Sequence, residues 1–332
     1  MVINGKPRPA RGIMHAFVML TVPVILAGAS AAAAQEFPTR SARIVVGFTA
    51  GTAVDVFGRI IGQKLTEMWG QQVIVENIVG ASSIVAAQNV ARSQPDGHSM
   101  LFTSTALVVS PSLFKKLPYD LDRDFAPVTL LAEMSNALLM HPALPVRDVK
   151  GLVALARSRP GQLHYASAGT GSAGHLGMEL MKSMAKLDIV EVPYKSSAQA
   201  LSDTMSGEVT LFYPSLPTGM PHIRSGRLKA LAVSGGKRSQ AVPDIPSMAE
   251  FLPGYEASAW YGVLVPAATP PQVIAKINRD MLRALQIPDT RQKMEAQGAE
   301  IVGTSPEVFS KYMREGRDKW DRLIKQLGIP PQ

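Results

Sequence analysis

The chain has 332 residues, 46% of them hydrophobic, with 34 basic and 26 acidic side chains, a net charge of +8 and no cysteine. Without cysteine there is no disulfide and no cysteine-based metal or nucleophile site. The positive charges are scattered, Lys115-Lys116 and Lys237-Arg238 being only pairs, so no basic block with interleaved aromatics points to nucleic acid. A modest positive balance instead suits small anions entering a cleft.

Lys6, Arg8 and Arg11 form a basic opening, an apolar run follows over residues 16–29, and Ser30-Ala31-Ala32-Ala33-Ala34 ends it in small residues. That order predicts a secretory signal peptide over residues 1–34, cut after Ala34, and hence export from the cytoplasm. The apolar run contains Pro23 and falls short of the roughly 20 residues that span a bilayer. About 298 residues remain after cleavage, too many for one ordinary core and suited to two lobes.

The rest of the sequence alternates strands, Gly-rich turns and helices. A short apolar strand at 43–47 leads to a helix at 54–69, with Phe57, Ile61, Leu65 and Met68 at helical spacing. Strand 72–76, helix 83–92 and strand 100–103 follow, punctuated by Pro95-Asp96-Gly97. Such alternation predicts an α/β fold with largely parallel sheets and helices on both faces. Two extended runs, 126–131 and 137–141, adjoin without a helix and predict a crossing to a second lobe. The alternation restarts with helix 149–158, strand 163–167, helix 173–186, strand 189–192, helix 198–206, and strands 209–212 and 228–233. Strand 259–265 then reads as a return. Thr269-Pro270 and Ser305-Pro306 each look like a hydroxyl cap before a first-turn proline, opening helices to about 285 and 326. Phe309, Tyr312, Trp320, Leu323 and Ile324 are the expected packing residues of the last helix. Lobe one is therefore expected from residues 35–138 and 258–332, and lobe two from 139–257.

One loop pattern occurs twice. Val45-Val46-Gly47-Phe48-Thr49-Ala50-Gly51-Thr52-Ala53-Val54-Asp55 in the first half matches Tyr165-Ala166-Ser167-Ala168-Gly169-Thr170-Gly171-Ser172-Ala173-Gly174-His175 in the second. Each follows a strand and opens a helix. Glycines let backbone N–H groups turn inward, hydroxyls add donors, and the helix start supplies unpaired amides with partial positive charge. A carboxylate, phosphate or sulfate suits that arrangement, with the two loops facing each other across a cleft. The candidate ligand residues are Phe48, Ala50, Gly51, Thr52, Ala53, Gly169, Thr170, Gly171 and Ser172. Asp55 either braces the first loop or receives a ligand N–H, and His175 orients the second loop or touches the ligand. Tyr194, Lys195 and Ser104 follow strands and are further candidates.

Enzyme signatures are missing: there is no Gly-x-Ser-x-Gly elbow, no His-Glu-x-x-His and no Walker motif. Gly169, Gly171 and Gly174 do satisfy Gly-x-Gly-x-x-Gly, with Glu191 at a spacing suited to a ribose hydroxyl. A nucleotide site therefore stands as an alternative at this point. Asp120, Asp122 and Asp124 have calcium-like spacing, but no glycine or terminal glutamate completes an EF-hand loop. No metal and no cofactor is expected.

Across residues 37–329 the chain resembles the extracytoplasmic solute receptors of the tripartite tricarboxylate transporter family, also called the Bug family. The resemblance is carried by Phe37-Pro38-Thr39-Arg40, Asp55 with Arg59, Val75-Glu76-Asn77, Pro95-Asp96-Gly97-His98 and Lys116-Leu117-Pro118-Tyr119-Asp120. Asp124-Phe125-Ala126-Pro127-Val128, Leu163-His164-Tyr165-Ala166-Ser167, Val192-Pro193-Tyr194-Lys195 and Trp260-Tyr261-Gly262 extend it. It implies a type II periplasmic binding protein, two α/β lobes closing like a Venus flytrap on a ligand cleft. It implies a soluble monomer, without enzyme activity, that binds a small carboxylate or related solute and presents it to membrane transporter subunits. In that frame residues 48–53 bind one carboxylate, residues 169–172 close from lobe two, Asp55 holds the first loop, and Ser104, His175 and Tyr194 lie nearby. A receptor that signals to a sensor protein is the alternative.

Departures from the family pattern bear on the ligand. Thr49, Thr52 and Val54 replace a proline, a glycine and a hydroxyl residue of the usual first loop. Residues 77–84, Asn-Ile-Val-Gly-Ala-Ser-Ser-Ile, stand where relatives have Asn-Arg-Pro-Gly-Ala-Gly-Gly-Asn. Tyr213-Pro214 occupies the place of a pair that selects the ligand in many relatives. A citrate-like ligand is therefore less expected, and a monocarboxylate with an apolar or aromatic body is as much to be expected as a dicarboxylate.

Overall fold

The computed structural model describes residues 1–6, 37–80, 83–167, 169, 172–194 and 196–331. Most of the leader, together with Ala168, Thr170, Gly171 and Lys195, lies outside the described residues. The chain divides into residues 1–35 and 36–332, and every element below belongs to the second unit.

The chain builds β1 (Ala42–Val46), α1 (Ala53–Trp69), β2 (Val73–Asn77), α2 (Ile84–Ala91), β3 (Ser99–Ser104), α3 (Ala106–Leu113) and β4 (Phe125–Met134). It crosses at Ser135-Asn136 into β5 (Ala137–Met140), α4 (Val149–Ser158), β6 (His164–Ser167), α5 (Ala173–Ala185), β7 (Val190–Pro193), α6 (Ser197–Ser206), β8 (Leu211–Phe212), α7 (Leu216–Arg224) and β9 (Lys229–Val233). It returns through β10 (Ala259–Pro266), α8 (Pro271–Gln286), α9 (Pro288–Ala296), β11 (Glu300–Ile301) and α10 (Pro306–Gln326). Among the described residues these strands form a six-stranded sheet, β11-β4-β10-β3-β1-β2, and a five-stranded sheet, β7-β6-β8-β5-β9.

Local chemistry accounts for the elements that carry the site. In α1, Phe57, Ile61 and Leu65 recur on one face and are fully buried against β1 residues such as Ile44 and Val46. The helix stops at Gly70, whose left-handed φ of 65° lets its N–H close on Thr66 O. In α10, Ser305 Oγ caps Val308 N, and Phe309, Met313, Trp320, Leu323 and Ile324 turn inward; Trp260 meets Phe309 edge-on at 5.3 Å.

Two sequence expectations need correction. The sheets are mixed, not largely parallel: β1 pairs parallel with β2 and β3, and β6 with β7 and β8. β10, however, runs antiparallel to both neighbours β3 and β4, and β5 runs antiparallel to β8 and β9. Strands entering from the other lobe take the opposite direction, which local βα alternation does not reveal. Thr269 is not the cap of α8: its hydroxyl donates to Pro266 O at 2.7 Å, and Pro270 takes the cap position without a side-chain bond. Helices α3, α7 and α9 fall in stretches to which the sequence pattern assigns no element, and each contains proline. Pro288 and Pro217 sit in first turns, where no intrahelical N–H is needed. In α3, Pro111 cannot donate to Leu107 O, and the Ser110 hydroxyl does so instead at 2.9 Å. The carboxylates of Asp120, Asp122 and Asp124 take up turn amides and the Arg123 and Arg317 guanidinium groups.

Candidate functional site

The first loop begins where β1 runs out. Gly47 is buried so close to Ser83, within 2.6 Å of its Cα from where a Cβ would stand, that no side chain fits. The chain then turns tightly: Thr52 N and Thr52 Oγ1 both donate to Thr49 O, at 3.4 and 2.8 Å, and Gly51 adopts a φ of 84°. Behind this turn stands Asp55 in the first turn of α1, 2% exposed. Its Oδ2 accepts from Gly51 N (2.9 Å) and Arg59 Nε (3.1 Å), and its Oδ1 from Asn77 Nδ2 (2.8 Å). Asn77 also donates to Phe48 O at 3.0 Å and accepts from Arg59 at 2.8 Å. Burial pushes the Asp55 carboxyl up, but the bonds from Arg59, Gly51 and Asn77 together outweigh it and hold the group below its ordinary value. Asp55 is therefore an ionised brace with both oxygens engaged.

The second loop repeats the scheme with other residues. Ser172 N donates to Gly169 O at 3.1 Å, as Thr52 N does to Thr49 O in the matching position. Gly169 has a φ of 100°, and its N–H donates to Ser167 Oγ at 3.0 Å. Ser167 donates in turn to Glu191 Oε1 at 2.5 Å, and Glu191 Oε2 lies 3.5 Å from His175 Nε2. Ser172 Oγ caps α5 by accepting from His175 N at 3.2 Å. His175 is buried; burial lowers its pKa against the opposing pull of Glu191 and Glu179. His175 thus stands where Asp55 stands in the first loop, and Glu191 is engaged inside the protein by Ser167 and His175.

Both loops open onto one cavity of about 450 Å³. Phe48, Thr52, Ala53 and Val54 line it from the first loop, Ser172, Ala173 and Leu176 from the second, and Ser104 and Thr105 from the end of β3. The remaining wall is the α3 face Ala106, Val109, Ser110 and Leu113 with Phe114, and Ala259 and Tyr261 of β10. The first amides of a helix have no intrahelical acceptor, so the start of α1 at Ala53-Val54 and of α5 at Ala173 present donors and positive dipole ends here.

Of the residues singled out in sequence, the structure brings Phe48, Thr52, Ala53, Ser104 and Ser172 together on the cavity wall. Asp55 and His175 stand behind their loops, and Ala50 and Gly51 are exposed and not among the wall residues. Gly169 shapes its loop but is not among the wall residues; Thr170 and Gly171 lie outside the described residues. Tyr194 turns away: its phenol bonds Asp203 on α6, and burial first and Asp203 second push its pKa to about 12. Tyr213 is likewise no part of the wall. It is 1% exposed, and its hydroxyl meets Tyr255 Oη at 3.0 Å. The α3 face is not marked as a site in the sequence, and Tyr261 stands there only among the residues that carry the resemblance. Residues 106, 109, 110 and 113 do carry helical spacing, but Pro111 interrupts it.

The family described as tripartite tricarboxylate transporter family receptor matches residues 57–329. The UPF0065 protein in the tcbD-tcbE intergenic region of Pseudomonas sp. strain P51 is 36% identical over 295 residues, 88% of either chain. Among solved structures, R. palustris Rpa4515 with adipate is 34% identical with a TM-score of 0.75, covering 89% of this chain and 100% of that one. MatC from Rhodopseudomonas palustris with bound malate is 31% identical with a TM-score of 0.71, covering 87% and 100%. The two-sheet architecture is the two-lobe, type II fold of periplasmic solute-binding proteins. With most of its length matched, the chain belongs to the tripartite tricarboxylate transporter receptor family.

Proposed function

We propose that the protein is a periplasmic receptor that holds a small carboxylate between its lobes and hands it to a tripartite tricarboxylate-type membrane transporter. One observation carries this: two matching helix-opening loops, one from each lobe, meet on a single cavity and are each braced from behind by buried polar side chains. A carboxylate there accepts from the amides opening α1 and α5 and from the hydroxyls of Ser104 and Ser172. Hydrogen bonds to a charged group contribute about 1.5–3 kcal/mol each. Only contacts made by both lobes at once favour the closed form, because a ligand shifts an equilibrium by its preference for one state. The relatives that hold adipate and malate support a carboxylate as the solute. In this reading residues 1–34 are removed after Ala34 on export, residues 35–138 and 258–332 form one lobe, and 139–257 form the other. Capture needs no covalent step, so the protein is not an enzyme.

The test is a thermal-shift screen of aliphatic and aromatic mono-, di- and tricarboxylates and acidic amino acids, with each mixture checked by NMR for product. The expected result is stabilisation by at least one carboxylate without turnover. No shift with any of them refutes the receptor reading, and product formation revives an enzyme. Transfer is tested separately, by retention of the ligand-loaded protein on membranes carrying the transporter subunits.

A further inference from the structure

The cavity has two chemically different ends. At the loop end stand donors that the fold leaves able to donate. Ser172 Oγ only accepts, from His175 N, and Thr105 Oγ1 only accepts, from Trp260 N at 3.1 Å, so each hydroxyl hydrogen is available to an anion. The amides opening α1 and α5 and the Ser104 hydroxyl join them. The α3 end is different. Ala106, Val109 and Leu113 recur at i, i+3 and i+7 on one helix face, continued by Phe114 and opposed by Leu176 of the other lobe. The one polar residue on that face is Ser110, whose hydroxyl donates to Leu107 O and lies 3.1 Å from Tyr119 Oη.

Among the described wall residues there is no lysine, arginine or histidine at either end. One carboxylate at the loops is served by converging dipoles and hydroxyls. A second carboxylate reaching α3 loses water against Val109, Leu113 and Phe114 and gains no counter-charge, which is costly. An alkyl or aryl group placed there instead gains from leaving water. The cavity is large enough for a carboxylate with a medium-sized apolar body.

Resting on the receptor reading above, we infer that the ligand is a monocarboxylate with an apolar body, and that the α3 face with Phe114 and Leu176 is its specificity wall. The ligand's carboxylate lies at the paired loops and its body along Val109 and Leu113.

Calorimetric titration of the purified protein with hexanoate and adipate tests this, since the two acids share a six-carbon chain and differ in the second carboxylate. Hexanoate is expected to bind at least tenfold more tightly. The series butanoate, pentanoate, hexanoate should tighten by about fourfold per methylene. Val109→Ala should weaken hexanoate by about tenfold, and Leu113→Arg, at a half-buried position, should reverse the order of the two acids. Adipate binding as tightly as hexanoate in the unmodified protein overturns the inference while leaving the receptor reading intact. Hexanoate affinity unchanged in Val109→Ala also overturns it, because the ligand's body would then not lie along that wall. If no acid of either kind binds, the receptor reading itself falls.

Discussion

Removing the Asp55 carboxylate tests whether the first loop is held from behind. In Asp55→Ala the Gly51 N–H and the Asn77 amide each lose a charged acceptor, while Arg59, whose side chain is 51% exposed, recovers water and contributes little. Two hydrogen bonds to a buried charged group, taken at the low end, amount to about 3 kcal/mol. At about 2 °C per kcal/mol for a chain of this size, Tm should fall by about 6 °C. Asp55→Asn keeps one acceptor and turns a donor toward other donors, so its loss should lie between wild type and Asp55→Ala. The pH dependence has a fixed sign. The folded-state pKa lies below the ordinary value, so the stabilisation is present above about pH 4 and is lost as pH falls through the folded pKa. Urea unfolding at pH 7 and again below pH 4 should show the wild-type advantage shrinking in acid. An Asp55→Ala protein within about 0.5 kcal/mol of wild type at pH 7, or a deficit unchanged in acid, would refute the bracing role.

Two smaller perturbations, one beside each loop, are also testable. Ser83 has a φ of 76°, and its buried hydroxyl has no partner among the described residues. Ser83→Gly should therefore raise unfolding free energy by about 1 kcal/mol, measured by urea denaturation, and a loss of stability would contradict the strain. Tyr213→Phe removes one hydroxyl from the Tyr213–Tyr255 pair but leaves Tyr255 donating to Gly177 O at 3.0 Å. It should cost about 1 kcal/mol and leave carboxylate affinity unchanged in calorimetry; a weakened affinity would return Tyr213 to the ligand site.

Much of the fold is legible from local pattern. The spacing of Phe57, Ile61 and Leu65 marks α1, and the predicted 149–158 helix coincides with α4 (Val149–Ser158). Strand direction is not local. Nothing near β10 tells that it lies between β3 and β4 and antiparallel to both. The loops could be found because a strand, a glycine turn and a helix start are contiguous in sequence. Their braces were only half visible: Arg59 is one helical turn from Asp55, but Asn77 comes from a neighbouring strand, and Glu191 reaches Ser167 from 24 residues away. The apolar wall was hidden by Pro111, which marks a break in most helices but is compensated here by the Ser110 hydroxyl.

The position of β10 has a consequence for how the molecule is assembled. Trp260 N, in this strand, donates to Thr105 Oγ1 across 155 residues of chain, and Gly262 faces Thr103. The first sheet therefore has a gap at its middle until the whole of the second sheet has been synthesised. Closing so long a loop before the pairing is gained slows folding. During synthesis the early strands β1 to β4 are an incomplete layer with an open seam. The middle of the first sheet is completed late, when the returning strand fills that seam.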